Sequence, residues 1–220
     1  MFSFLRRFFH RPPERSYALH ELDYKLRPWM DLRGGVFIEA GANDGVTYSN
    51  TLFFERHRGW RGLLIEPIPE LAAKCRRNRR RSIVENCALV ADSRATPEVT
   101  MRYCNLMSVV EGAMPVEAER EHLEKGRTVQ KLEKTYDLKV PARTLTEILD
   151  QHPFKRIDLF SLDVEGYELE VLRGLDFERY RPRFMLIETR HRAPLDAALT
   201  ARYEAVAELS HCDVLYRARE

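Results

Sequence analysis

Glu39, Gly41, Asn43 and Gly45 stand at alternate positions in the run Phe-Ile-Glu-Ala-Gly-Ala-Asn-Asp-Gly, and Glu66 closes a second apolar run, Gly-Leu-Leu-Ile-Glu, about twenty residues later. A strand that empties into a glycine-bearing turn lets backbone approach a ligand, because glycine lacks Cβ and tolerates positive φ. A carboxylate at the tip of the next strand suits the two hydroxyls of a ribose. The pair describes a nucleoside-type cofactor lying across the carboxyl ends of parallel strands, where open α/β sheets bind ligands.

Which cofactor depends on the loop. Gly41-Ala-Asn-Asp-Gly45 is G-x-x-x-G, whereas dinucleotide binding prefers G-x-G-x-x-G with a helix amino terminus beneath the pyrophosphate. The mismatch counts against a nicotinamide cofactor. S-adenosylmethionine carries no phosphate; it needs close backbone approach, an acid near its ammonium and a carboxylate for its ribose. Glu39 and Glu66 supply those acids.

A second acidic group, Asp163-Val-Glu-Gly-Tyr-Glu168, falls where a strand should give way to a helix on the same rim. Asp163 there has several possible tasks. It can orient a substrate hydroxyl, take its proton, or hold a divalent cation with Glu188 at the end of the next strand. The structural alternative makes Asp163 an N-cap and leaves Glu165 and Glu168 to complement the helix dipole. His191, three residues past Glu188, is a candidate general base, since an unperturbed histidine titrates near pH ~6.5; a solvated surface residue is the plainer reading. The arginine run at 76–81 reads as a solvated helix end, because no stacking platform or RNA-binding motif accompanies it. No metal-ligand spacing is evident, so a divalent metal is not favoured.

These residues need a sheet to position them. Strands are expected at Val36–Ala40, 62–65, 82–89, 157–162 and Phe184–Glu188, and a short one at 99–103. Helices are expected at 16–30, 50–58, 69–77 and 166–175, with 107–115 as loop and the irregular stretch 92–140 as the place for a substrate lid. Thr144-Leu-Thr-Glu147 matches the S/T-x-x-E capping box, which predicts a helix from there to Gln151. Two antiparallel strands, 203–209 and 213–217, close the chain. Strands alternating with helices predict a doubly wound, mostly parallel α/β sheet ending in an antiparallel hairpin.

The chain has 220 residues, 44% of them apolar, with 36 basic against 34 acidic side chains. That length suits one domain with a sizeable core, and the balanced charge names no nucleic-acid partner. Cys75, Cys87, Cys104 and Cys212 show no C-x-x-C spacing, so neither a zinc site nor a disulfide framework is suggested and a reducing cytoplasm is the simplest compartment. Residues 1–11 mix phenylalanines with arginines, too short to span a bilayer. They read either as a weak interfacial anchor, giving peripheral membrane contact, or as a frayed tail or a helix packing on its own domain; their shortness favours the plainer reading. The expected division is a basic, aromatic tail and leading helix over 1–33 and a single domain over 34–220.

The ordered motifs at 37–45, Ser49-Asn-Thr-Leu-Phe-Phe-Glu55, 59–67, Asn86-Cys-Ala-Leu and 157–172 resemble the FkbM family of S-adenosylmethionine-dependent methyltransferases across roughly 36–188. The resemblance implies a class I, Rossmann-like methyltransferase fold and methylation of a hydroxyl on a sugar, glycan or natural product. It would place Glu39, Gly41 and Asn43 at the methionine end of the cofactor, Glu66 at the ribose, Cys87 and Ala88 at the adenine, and Asp163 facing the methyl group. Ser108, Glu165 and Glu188 would serve the acceptor. Two rivals carry different expectations: a non-catalytic binding module that keeps the fold, since fold does not fix function, and a nicotinamide-dependent oxidoreductase, disfavoured by the loop.

Overall fold

The computed structural model describes residues 15–152 and 154–220; the tail at 1–11 lies outside them. Five strands form the parallel core: β1 (Val36–Ala40), β2 (Arg61–Ile65), β3 (Ile83–Glu85), β8 (Leu159–Leu162) and β9 (Phe184–Glu188). The hairpin β10 (Tyr203–Glu208) and β11 (Asp213–Ala218) adds to the β9 edge, giving the order β10-β11-β9-β8-β1-β2-β3 with only the hairpin strands antiparallel. β1 is buried throughout and pairs in parallel with β2 and β8, so its near-continuous apolar run is what a strand covered on both faces requires. The chain switches direction of travel across the sheet on either side of β1, which leaves a crevice at the carboxyl ends of β1, β2 and β8.

Helices cover both faces. α2 (Leu52–Arg58) buries Leu52, Phe53 and Phe54 and ends at Gly59, whose φ of 69° makes the left-handed stop. α3 (Pro69–Asn78) starts with Pro69 in its first turn, where a missing N–H costs nothing. α5 (Leu145–Gln151) begins with the expected box: Glu147 N–H donates to Thr144 Oγ1 at 3.1 Å, and Thr144 N–H donates to Glu147 Oε2 at 2.9 Å. One core cluster includes Ile38, Leu63, Phe160 and Ile187; a second joins Phe37, Phe53, Trp60 and Leu159 to Leu22, Leu26 and Met30 of the leading segment; a third gathers Ile68, Ala88, Met101 and Val140.

Several expectations need correction. The stretch 16–30 is helical only in a short turn, Leu19–Glu21, and α1 (Leu22–Leu26), where His20 and Glu21 take positive φ and interrupt it. The run 82–89 is two strands. After β3 the side chain of Asn86 donates to the carbonyls of Glu66 and Pro67, both at 2.9 Å, and the chain leaves for a second sheet through β4 (Ala88–Leu89). That sheet has the order β4-β7-β5-β6, with β5 (Glu98–Tyr103), β6 (Val109–Val110) and β7 (Tyr136–Arg143). The expected loop at 107–115 therefore contains a strand, and α4 (Val116–Val129) follows it. α6 (Glu168–Arg173) starts later than expected, with Tyr167 as its N-cap, so Asp163 caps nothing. α7 (Arg192–Leu199) had no counterpart in the sequence reading.

Candidate active site

The crevice between the two sheets is lined by Gly41, Asn43, Glu66, Cys87, Ala88, Ser108, Asp163 and Glu165. Eight of the sequence candidates thus meet in one place. Asn43, Tyr48, Asn105 and Glu165 also line it, and these are four of the seven described non-glycine residues with positive φ. Strained backbone gathers where a surrounding structure holds it for a purpose, and here it gathers around one cleft.

Gly41 has φ 85°, and a Cβ on it would lie 1.9 Å from the carbonyl oxygen of Asp163. The glycine is needed because the β1 loop packs directly on the β8 loop. A Cβ on Gly45, at φ 77°, would meet the Arg79 side chain at 2.7 Å and Cys75 Sγ at 2.8 Å. Both glycines allow the packing that shapes the floor of the cleft, and Gly41 also lines it.

Glu66 is buried at the tip of β2. Its Oε2 accepts from Asn43 N–H at 2.8 Å and its Oε1 from Ile68 N–H at 2.9 Å. A carboxylate has about four lone-pair sites, so one on each oxygen remains for a diol. Burial outweighs the two hydrogen bonds and pushes the carboxyl up to about 7, a cost that hydroxyl donors from a ligand would relieve. Ile65, Leu89, Met101, Val110 and Tyr167 supply apolar walls beside it. A buried carboxylate with open acceptor sites beside apolar walls has the chemistry that a ribose and a nucleobase require.

Glu39 does not reach this cleft. Its Oε2 accepts from Ser49 Oγ at 2.9 Å and Thr51 Oγ1 at 2.5 Å, its Oε1 accepts from Asn50 N–H at 2.9 Å, and Arg79 stands 3.6 Å away. The carboxylate is consumed in bracing the β1 loop against the start of α2. Arg79 itself is fully buried, bonded to Glu55, Gly45, Ser49 and Thr51; one member of the arginine run is a core brace rather than a solvated residue. Ser108 lines the cleft, yet its hydroxyl already donates to Asn105 O at 2.8 Å and accepts from Cys104 N–H at 2.9 Å. Burial pushes the Cys87 thiol up to about 12, so it contributes surface rather than a nucleophile.

Burial, and then the neighbouring carboxylates with Glu188 first, raises Asp163 well above the usual carboxylate range, and burial with Asp213 raises Glu188 as well. Glu165 is pushed up to about 8, chiefly by burial and then by Glu188. Like charges this close cannot all ionise, so the group holds protons near neutrality. Glu188 and His191 line a second cavity of about 550 Å³, between α4 and the start of α7, and Glu165 belongs to the walls of both. Glu188, Cys212 and Asp213 present ligand-type atoms within 4.8 Å of one another.

The sequence reading missed His122, Lys125 and Arg190. His122 is buried on α4, with Nε2 3.0 Å from Met107 O and 3.7 Å from Glu165 Oε2; burial lowers its pKa. Its only sequence signal was a histidine in the acid-rich run Glu117–Glu124, whose helical register was not recognised.

A solved TehB-like SAM-dependent methyltransferase from Corynebacterium glutamicum is 12% identical, with a TM-score of 0.46 over 90% of this chain and 88% of that one. The methyltransferase domain of METTL16 is 13% identical, with a TM-score of 0.42 over 89% of this chain and 80% of that one. A curated relative, Methyltransferase 1 of Beauveria bassiana, is 40% identical over 50 residues, which is 22% of this chain and 20% of that protein; the matched segment thus spans about a fifth of the relative's length. The model of the methyltransferase FkbM domain matches residues 39–213, from Glu39 within β1 to the start of β11, and the chain belongs to that family of S-adenosylmethionine-dependent methyltransferases.

Proposed function

We propose that the protein is an O-methyltransferase acting on a hydroxyl of a sugar, glycan or natural product. The observation that carries this reading is the shared wall: Glu165, beside Asp163, belongs both to the cleft that fits the cofactor and to a cavity large enough for an acceptor.

When bound, S-adenosylmethionine supplies an activated methyl group on a sulfonium. Glu66 holds the ribose hydroxyls, and the apolar walls between Ile65 and Met101 receive the adenine. The coupled carboxyls of Asp163 and Glu188 orient the acceptor hydroxyl, and whichever of them is left ionised receives its proton as the oxygen takes the methyl group and S-adenosylhomocysteine leaves. Alignment does much of the rest: well-oriented groups lower barriers by ~7–11 kcal/mol at best. His191 sits at the exposed start of α7, on the acceptor cavity and away from the cofactor cleft, so the carboxyl cluster formed by Asp163, Glu165 and Glu188, which spans both, is better placed to take the proton. The compartment we propose is cytoplasmic; no helix among the described residues is long and apolar enough to cross a membrane.

Incubation with methyl-labelled S-adenosylmethionine and a panel of hydroxylated acceptors tests the reading. Label should enter an ether stable to mild base, and Asp163→Asn should reduce transfer about 10²–10⁴-fold while leaving S-adenosylhomocysteine binding in place. Label recovered only on nitrogen, or cofactor binding with no transfer to any acceptor class, would favour a different methyl acceptor or the non-catalytic module.

A further inference from the structure

The acceptor cavity changes character from its inner to its outer end. Its inner end carries the carboxylates of Glu165, Glu168 and Glu188; its outer end carries Lys125 of α4 and Arg190 at the carboxyl end of β9. Both cations also line an adjoining surface cavity formed with residues 208–214, so they stand on the ridge between the two.

These cations are poorly matched. Among the described residues the Lys125 ammonium has no hydrogen bond or ion pair, and its field reaches Glu165 and His122 only at longer range. Glu121 lies one turn before it on α4 and lines the same cavity, yet forms no ion pair with it. Arg190 is 52% exposed; it meets Glu165 only at 3.7 Å and His122 Nδ1 at 3.4 Å, which leaves most of its donor fork open.

The start of α7 adds to them. Its N-cap, His191, makes no side-chain cap, and its first turn holds no acid. Neither Arg192 N–H nor Ala193 N–H has an acceptor among the described residues, and the third position is Pro194, which has no N–H. His191, Pro194 and Leu195 of this helix start line the cavity together with Arg190, so the positive end of the helix dipole lies at its edge, beside two amides without acceptors.

Resting on the methyl-transfer reading above, we propose that the acceptor carries a phosphate or pyrophosphate group, held between Lys125, Arg190 and the amino terminus of α7, while its hydroxyl points inward to Asp163 and Glu165. An acceptor of this kind satisfies both ends of the cavity: hydroxyl donors meet carboxylates, and phosphoryl oxygens meet a guanidinium fork, an ammonium and backbone amides. Pro115, Ala118 and Leu195 form the apolar wall between them.

The test uses the full chain with S-adenosylhomocysteine present. Inorganic pyrophosphate, titrated against backbone NMR signals, should bind saturably and shift Lys125 and residues 189–193, with affinity at least tenfold weaker in Lys125→Ala/Arg190→Gln. Glucose 1-phosphate should outcompete glucose for the same signals, and vesicles of phosphatidylinositol in phosphatidylcholine form the membrane-held arm. Binding of either phosphorylated probe supports the proposal and tells a soluble from a lipid-linked source. Pyrophosphate that does not saturate, that maps to the arginines at 76–81, or that binds the double variant equally overturns it. If S-adenosylhomocysteine itself fails to bind the folded protein, the methyl-transfer reading falls first; if it binds and no phosphorylated probe does, only the phosphate site falls.

Discussion

The backbone N–H of Asn43 donates to Glu66 Oε2 at 2.8 Å, so the loop after β1 and the tip of β2 are fastened by the carboxylate offered to the ribose. Ligand binding and loop geometry therefore share one side chain, and the ionisation of Glu66 affects both.

That sharing predicts a pH dependence of the ligand-free protein. Burial holds Glu66 up to about 7 and Glu165 up to about 8, against 4.5 for an unstrained glutamate. The folded state then binds more protons than the unfolded chain, so stability is greatest near the lower value and is lost as pH rises from about 4.5 to about 8. His122, lowered by burial, opposes this weakly around its own range. Urea midpoints at pH 5.5 and 8.5 measure the slope. Glu66→Gln, which cannot titrate, should flatten it; an unchanged slope would place the titration elsewhere.

Arg79 predicts a structural effect beneath the cleft. Its guanidinium bonds Glu55 at 3.0 Å and stands 3.6 Å from Glu39, all three groups buried. Arg79→Ala strands two carboxylates in the core and should cost about 3–5 kcal/mol in chemical unfolding. Arg79→Lys should recover only part, since one ammonium cannot reach Gly45 O, Thr51 and Glu55 together.

A third expectation concerns the roof. The cleft encloses only about 90 Å³, less than the several hundred typical of small-molecule sites. Above it the turn at Asn105–Met107 is latched by Asn43 Nδ2, which donates to Asn105 Oδ1 at 3.3 Å, and clasped from behind by Gln130. Gln130 accepts from Leu106 N–H at 3.0 Å and donates to Cys104 O at 2.9 Å. Cofactor entry must lift this turn, so amide exchange at 104–108 should change when S-adenosylhomocysteine is added. Gln130→Leu should speed exchange there in the free protein roughly fivefold, at ~1 kcal/mol net for a lost hydrogen bond. Exchange indifferent to ligand would show a roof that does not move.

The parts of this architecture legible in the sequence are those written in local signals. β1, β2 and β9 are apolar runs ended by glycine or acid, and the box at Thr144 and Glu147 needs only two residues three apart. What was missed depends on partners distant in sequence. β7 contains Asp137, Lys139 and Pro141, a poor strand until β4 and β5 lie on either side of it. The inward face of α4 is Glu119, His122 and Gly126, so no apolar stripe announced the helix; Glu119 is satisfied by Arg102 at 2.8 Å and by Gly112 N–H. The site follows the same division: Glu66 and Asp163, each just past a strand, line the cleft, whereas Glu39, inside β1, is claimed by Ser49 and Thr51 of the following loop and by the distant Arg79.

The most direct measurement is calorimetric titration of the purified protein with S-adenosylhomocysteine, beside NADH and a Glu66→Ala control shown to be folded. Micromolar binding of S-adenosylhomocysteine alone is expected, weakened about 10–100-fold in the variant, as the loss of charge-assisted hydrogen bonds worth ~1.5–3 kcal/mol requires. Binding of NADH instead, or affinity for S-adenosylhomocysteine untouched by Glu66→Ala, would contradict the assignment of this cleft.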